Sequence, residues 1–87
     1  MELEPGMLAR SKAGHDKNCI YVIISVNDEY VYLADGRKRP VCRLKKKNRK
    51  HVQPVTCMRC GSVSDDEEIR RAVQKCLKCK VQKARED

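Results

Sequence analysis

One run, Ile20-Tyr21-Val22-Ile23-Ile24-Ser25-Val26, constrains the fold more than any other stretch of the chain. It is rich in β-branched residues, and Ile20, Val22, Ile24 and Val26 recur at a period of two, as one face of a strand. Asn27-Asp28-Glu29 supplies a turn. Tyr30 to Ala34 then reads as the returning strand, with Val31 and Leu33 on one face and Tyr30 and Tyr32 on the other. Upstream, Pro5-Gly6 signals a turn and Met7 to Ser11 a first strand. Downstream, Asp35-Gly36 is a hairpin dipeptide leading to a basic strand around Lys38 to Leu44. Lys50 to Gln53 reads as a last short strand before Pro54. Residues 5–53 thus predict four or five short antiparallel strands in a meander. A sheet this small needs closure to protect its edges, and a small barrel provides it.

Beyond Pro54 the pattern changes. Ser64 followed by Glu67 fits a capping box, and the acidic residues from Asp65 to Glu68 suit the positive end of a helix dipole. Ile69, Ala72, Val73, Cys76 and Leu77 mark an apolar stripe at helical spacing. A helix is expected from about Asp65 to about Val81, with a frayed tail from Lys83 to Asp87. The chain therefore divides into a barrel over 1–54 and a cysteine-containing helical extension over 55–87, packed on or beside it.

With 87 residues, no Phe, no Trp and three Tyr, the core must be aliphatic and small. Chains of this size often rely on a staple. Twenty basic against twelve acidic residues give a net charge of +8. Twelve of the basic and six of the acidic residues fall in 1–54. A compact basic surface attracts polyanions, nucleic acid foremost, although charge also serves solubility. No segment has the ~20 apolar residues of a membrane span. The acidic start, Met1-Glu2-Leu3-Glu4, is unlike a signal peptide. A cytoplasmic protein with reduced thiols is the expectation.

The run "PGMLARSKAGHDKNCIYVIISV", followed by "VYLADGRKRPV" and "KKKNRKH", resembles the KOW-motif RNA-binding proteins. It is most similar to bacterial relatives of the KOW-containing archaeal and eukaryotic large-subunit ribosomal proteins. The resemblance covers roughly residues 4–53, with a weaker echo in "SDDEEIRRAV". It implies an SH3-like β-barrel, here with one added helix, that binds structured and typically ribosomal RNA. Where that family usually has Gly after the Asp-Lys pair, this chain has Asn18. The position calls for a backbone turn at positive φ, which Asn tolerates next best after Gly. Gly14 serves the other tight position.

From the residues alone, Lys12, His15 and Lys17 sit at a loop tip between strands, where they can meet phosphates. Arg37, Lys38, Arg39, Arg43, Lys45, Lys46, Lys47, Arg49 and Lys50 put nine positive charges into fourteen residues with no acid between them. Following a compact sheet, that tract reads as a surface patch. Stacking platforms are scarce, since only Tyr21, Tyr30 and Tyr32 are available, so folded RNA suits the chain better than single strands.

Cys57-x2-Cys60 and Cys76-x2-Cys79 match a four-cysteine zinc pattern, in which four thiolates satisfy a tetrahedral Zn2+. The second pair lies deep in the expected helix, and Cys76 also fits the apolar stripe, so reduced, partly buried thiols are the other reading. Cys19 and Cys42 fall within the expected barrel and read as small core residues.

No constellation of carboxylates, and neither His15 nor His51, suggests catalysis, and a barrel this small offers little cleft for a small-molecule substrate. The expected function is RNA binding, with ribosomal RNA and neighbouring ribosomal proteins as partners and no membrane. The competing expectation is a protein-interaction adaptor using the barrel or a zinc-clipped helix.

Overall fold

The β-branched runs form strands, and in the computed structural model five strands build one antiparallel sheet. The structure describes residues 3–86, with the side chains of residues 56–58 and 78–86 outside the description. Strands β1 (Met7–Ser11), β2 (Ile20–Val26), β3 (Tyr30–Ala34) and β4 (Lys45–Asn48) make a meander. A single 3-10 turn (Arg49–His51) follows, and β5 (Val52–Arg59) returns to pair with β1. The order β4-β3-β2-β1-β5 curls the sheet into a half-barrel with β4 and β5 as its edges. Helix α1 (Asp66–Glu86) completes the chain. The molecule is mainly β, with one C-terminal helix, as expected.

Both faces of the sheet are covered. Met7, Ala9, Tyr21, Ile23, Val31, Leu33 and Val52 fill the inside of the curl. Leu8, Ile20, Val22 and Ala34 point the other way and share a core with Ile69, Ala72, Val73 and Cys76 of α1. The helical stripe therefore found its partner, except that Leu77 stays 41% exposed. An irregularity between Ile23 and Ser25 shifts the register of β2 against β3. A bulged residue reverses the alternation beyond it. Hence Ile24 packs toward the helix side, whereas Val26 packs against the inner cluster and does not share the face of Ile20 and Val22.

The chain departs from the expected element bounds at five places. Residues 38–44 form no strand, because the Asp35 carboxylate accepts from the amides of Arg37 (2.8 Å) and Arg39 (3.0 Å) and curls the chain. The basic strand starts only at Lys45. Lys50 belongs to the 3-10 turn, in which Asn48 Oδ1 accepts from the Lys50 amide at 2.9 Å. β5 then runs straight through Pro54 to Arg59, beyond the division expected at 54. Proline is tolerated there because β5 is an edge strand, where a missing donor can face outward. Finally, α1 is capped by Asp65 rather than Ser64: Asp65 Oδ1 accepts from the Glu67 amide at 2.9 Å, and its carbonyl accepts from Ile69 at 3.0 Å. The helix also continues past Val81 to Glu86.

The loop between β3 and β4 is clasped to the start of α1. Gly36 has φ +78°, and a Cβ there would overlap the Asp66 carbonyl oxygen and lie 2.9 Å from the Arg70 amide nitrogen. Asp66 Oδ1 in turn accepts from the Val41 amide at 2.8 Å. Thus the helix docks on the sheet through its apolar face and on this loop through its first turn.

Candidate nucleic-acid interface

The loop over residues 12–19 leaves β1 and enters β2 through a closed neck. Ser11 N–H donates to the Cys19 carbonyl at 2.9 Å, and Asn18 N–H to the Ser11 carbonyl at 2.8 Å. Inside the neck, Lys17 N–H donates to Gly14 O (3.2 Å) and Cys19 N–H to Asp16 O (2.9 Å). Two residues make this path accessible: Gly14 at φ +88° and Asn18 at φ +74°. Asn18 therefore occupies the left-handed region that its position was expected to require.

The tip presents Lys12, His15 and Lys17 to solvent, all three exposed. Asp16 turns the other way. Its carboxylate accepts from Ser11 Oγ (2.9 Å), Tyr21 Oη (3.0 Å) and Lys47 Nζ (3.0 Å), and lies 3.6 Å from Lys45 Nζ. Lys47 Nζ also donates to the Ala13 carbonyl at 2.9 Å. Burial alone would push the Asp16 carboxyl up. The hydrogen bonds from Lys47, Ser11 and Tyr21, with the Lys47 charge, outweigh it and hold the group at about 2. The Tyr21 hydroxyl is raised above its ordinary value, first by burial and then by its bond to the Asp16 anion.

Alternation along β4 decides what each lysine does. Lys45 and Lys47 sit opposite Leu33 and Val31, so they share the inner face and reach Asp16 in the β1–β2 loop. Lys46 points to the outer face, where its Nζ stands 4.2 Å from the centre of the Tyr30 ring. Arg49 is also engaged: its amide donates to Glu29 O (3.0 Å) and its guanidinium to Asn27 O (3.1 Å), tying the 3-10 turn to the β2–β3 hairpin. The same turn meets the basic loop, since Lys12 N–H donates to the His51 carbonyl at 2.8 Å.

The expected basic residues thus fall into two groups. Lys12, His15, Lys17, Lys45, Lys46, Lys47, Arg49 and Lys50 belong to segments bonded to one another: the loop, β4 and the 3-10 turn. Arg37, Lys38, Arg39 and Arg43 are exposed on the loop that clasps α1. Sequence reasoning missed Ser11, Tyr21 and the inward role of Asp16. The signal was present in the alternation of Lys45, Lys46 and Lys47, which makes two of three adjacent lysines face inward and need a counter-ion.

The cysteines separate differently from expectation. Cys19 and Cys42 are exposed, not core residues, because both lie in irregular segments outside the strands. Cys60 and Cys76 are buried in one cluster beneath α1. The side chains of Cys57 and Cys79 lie outside the described residues. Among the described residues, no group of three or more His, Cys, Asp or Glu could hold a metal ion, and no helix is long and apolar enough to cross a membrane. In comparisons with known proteins, no family model and no curated sequence matches the chain.

Proposed function

We propose that this chain is an RNA-binding module that grips folded RNA by its phosphates. The observation that carries the reading is the Asp16 clamp. It holds a basic loop against a basic strand that is remote in sequence, so their exposed charges form a preorganised surface rather than a solvated tail. Lys12, His15, Lys17 and Lys50 are the contacts on that surface, Lys46 extends it around the edge strand β4 from the outer face, and Lys45 adds to its potential. The exposed Arg37, Lys38, Arg39 and Arg43 extend the basic field. Lys47 and Arg49 act mainly as positioning residues, since their charged ends are already bonded within the protein.

The tyrosines support phosphate contact over base stacking. Tyr21 is buried with its hydroxyl on Asp16, and the Tyr30 ring is overlaid by Lys46. Single-stranded recognition generally needs open aromatic faces, whereas folded RNA is read by shape, phosphates and 2′-hydroxyls. The choice of RNA, and of ribosomal RNA in particular, rests on the resemblance to KOW-motif proteins. No catalytic step is assigned to the module.

The test is a fluorescence titration of hairpin RNA, single-stranded RNA and duplex DNA across a range of salt. Affinity should fall steeply with salt, with a slope of roughly −0.7 to −0.9 per phosphate neutralised. Lys12→Gln, Lys17→Gln and Lys46→Gln should each weaken binding and flatten that slope. A flat salt dependence, or triple neutralisation without effect, would overturn the reading. Protein partners that survive nuclease and high salt would then favour the adaptor alternative.

A further inference from the structure

We propose that Cys57, Cys60, Cys76 and Cys79 bind one structural Zn2+ that clips α1 to the end of β5. The second pair does lie inside α1, and one member of each pair is buried in the core that the helix shares with the sheet. Cys60 follows β5, and Cys76 lies three turns into α1, yet both are buried in one cluster, at 9% and 4% exposure. The fold therefore brings one member of each pair into the core that the sheet and α1 share. Cys57 and Cys79 enter through spacing: each lies three residues from a buried thiol, the separation found within paired zinc ligands.

Backbone geometry favours chelation over a disulfide for the helical pair. Residues three apart on a helix have Cβ atoms about 5–6 Å apart. A disulfide needs about 3.5–4.5 Å between Cβ atoms, which a regular helix does not provide. Two sulfurs on a tetrahedral zinc, each about 2.3 Å from the metal, stand about 3.8 Å apart, a separation that does not require the close Cβ approach of a disulfide. Cys76 and Cys79 both lie within the regular helix Asp66–Glu86.

The surroundings fit the charge of such a centre. A zinc ion with four thiolates carries a net charge of −2, and the pairs are interleaved in sequence with Arg59, Lys75, Lys78 and Lys80. At the first pair, Cys60 N–H donates to the Gly6 carbonyl at 2.8 Å, which fixes the backbone of this ligand against the start of β1. The Cys60 thiol donates to Ser62 O at 2.9 Å, and this is the proton it would lose to solvent on binding the metal. Loading the site converts four thiols to thiolates and releases their protons to solvent, so affinity rises with pH. Four protein ligands leave no open position, which makes the site structural rather than catalytic.

The full chain, purified under reducing conditions without chelator, should contain one zinc per chain by elemental analysis. Replacing zinc with Co2+ should produce the absorption bands of a tetrahedral thiolate centre. Because Cys60→Ser and Cys76→Ser would disturb a buried cluster, the decisive variants are Cys57→Ser and Cys79→Ser. Each should weaken Co2+ binding by more than the roughly 10- to 100-fold that loss of an outer-shell partner costs. Cys19→Ser and Cys42→Ser, at exposed positions, should leave metal binding unchanged. Well under one zinc per chain, metal retained in the Cys57→Ser/Cys79→Ser double variant, or a disulfide within either pair would each overturn the proposal. None of these readouts depends on RNA, so the two proposals stand or fall separately.

Discussion

The Asp16 carboxylate and the Lys47 ammonium meet at 3.0 Å across 31 residues of chain, and this pair ties the β1–β2 loop to β4. Both side chains are largely withdrawn from water, at 13% and 11% exposure. Ser11 Oγ and Tyr21 Oη complete the shell of the carboxylate. Removing one partner leaves the other buried with its charge uncompensated. Asp16→Ala should therefore cost about 2–3 kcal/mol of stability in urea unfolding at neutral pH. Lys47→Ala should cost less than Asp16→Ala, because Asp16 keeps two neutral donors and a nearby Lys45. The double variant should be more stable than the sum of the single losses implies. Strict additivity would mean that the pair does not act as a unit.

Acid should expose the same contact. The folded-state pKa of Asp16 is depressed to about 2, against 3.8 for an ordinary aspartate. A depressed carboxyl contributes stability that is fully present above the unfolded value and is lost as pH falls through the folded one. Between pH 4 and 2 the wild type should lose about 2 kcal/mol through this group. Asp16→Asn, which cannot titrate, should lack that component while retaining the acid sensitivity of the other carboxylates. Urea midpoints for both proteins at pH 5 and pH 2.5 provide the comparison. Parallel pH curves would rule out Asp16 as the acid-sensitive group.

Much of this architecture was legible in the sequence where local chemistry decides it. β1 and β3 follow their expected bounds because turn residues flank both and their side chains alternate or are small. Positive φ at Gly14 and Asn18 was legible for the same reason. Contacts set by tertiary placement were not. The loop at residues 35–44 carries residues compatible with a strand, but Asp35 captures its amides and Asp66, 25 residues away, takes the Val41 amide. The bulge in β2 was hidden because Ile24 and Val26 suit either face of a sheet buried on both sides. Likewise, a run of lysines looks uniformly solvated until its strand register is known.

Asn18 occupies φ +74° in place of the glycine usual in the resembled family. Asn pays part of the left-handed penalty, while Gly avoids it but gains freedom in the unfolded chain. These effects oppose each other, so Asn18→Gly should change stability by less than about 1 kcal/mol. A β-branched residue has neither escape, and Asn18→Val should cost about 1–2 kcal/mol. The loop already follows the path that glycine would take, so RNA affinity of Asn18→Gly should match the wild type within experimental error. A marked gain in affinity would show that the asparagine side chain itself opposes binding.

The two candidate caps of α1 can be told apart by substitution. Asp65 accepts from the Glu67 amide, whereas the Ser64 amide donates to Ser62 Oγ and lies outside the helix. Asp65→Ala should reduce stability by about 1 kcal/mol, including the loss of a negative charge at the helix N-terminus. Ser64→Ala should change it by less than about 0.5 kcal/mol, as at other exposed surface positions. Thermal melts followed by the helical circular dichroism signal will separate them. The reverse order would restore Ser64 as the cap.

Gly36 is the position where backbone and packing demands coincide. Its φ of +78° disfavours any L side chain, and a Cβ would collide with backbone atoms of Asp66 and Arg70, which cannot swing aside as a flexible side chain would. Gly36→Ala must therefore either strain the turn or push the first turn of α1 away from the loop. Moving the helix would break the Val41–Asp66 bond and loosen the core that Ile69 shares with Leu8 and Val22. A loss of about 2–4 kcal/mol is expected, beyond what the dihedral alone explains. Hydrogen exchange should show the damage concentrated in the first turns of α1, whereas the Asp16 loop keeps its protection. Uniform loss of protection in both regions would mean that the helix and the sheet unfold together, and that the clasp at Gly36 supports the whole fold rather than the helix alone.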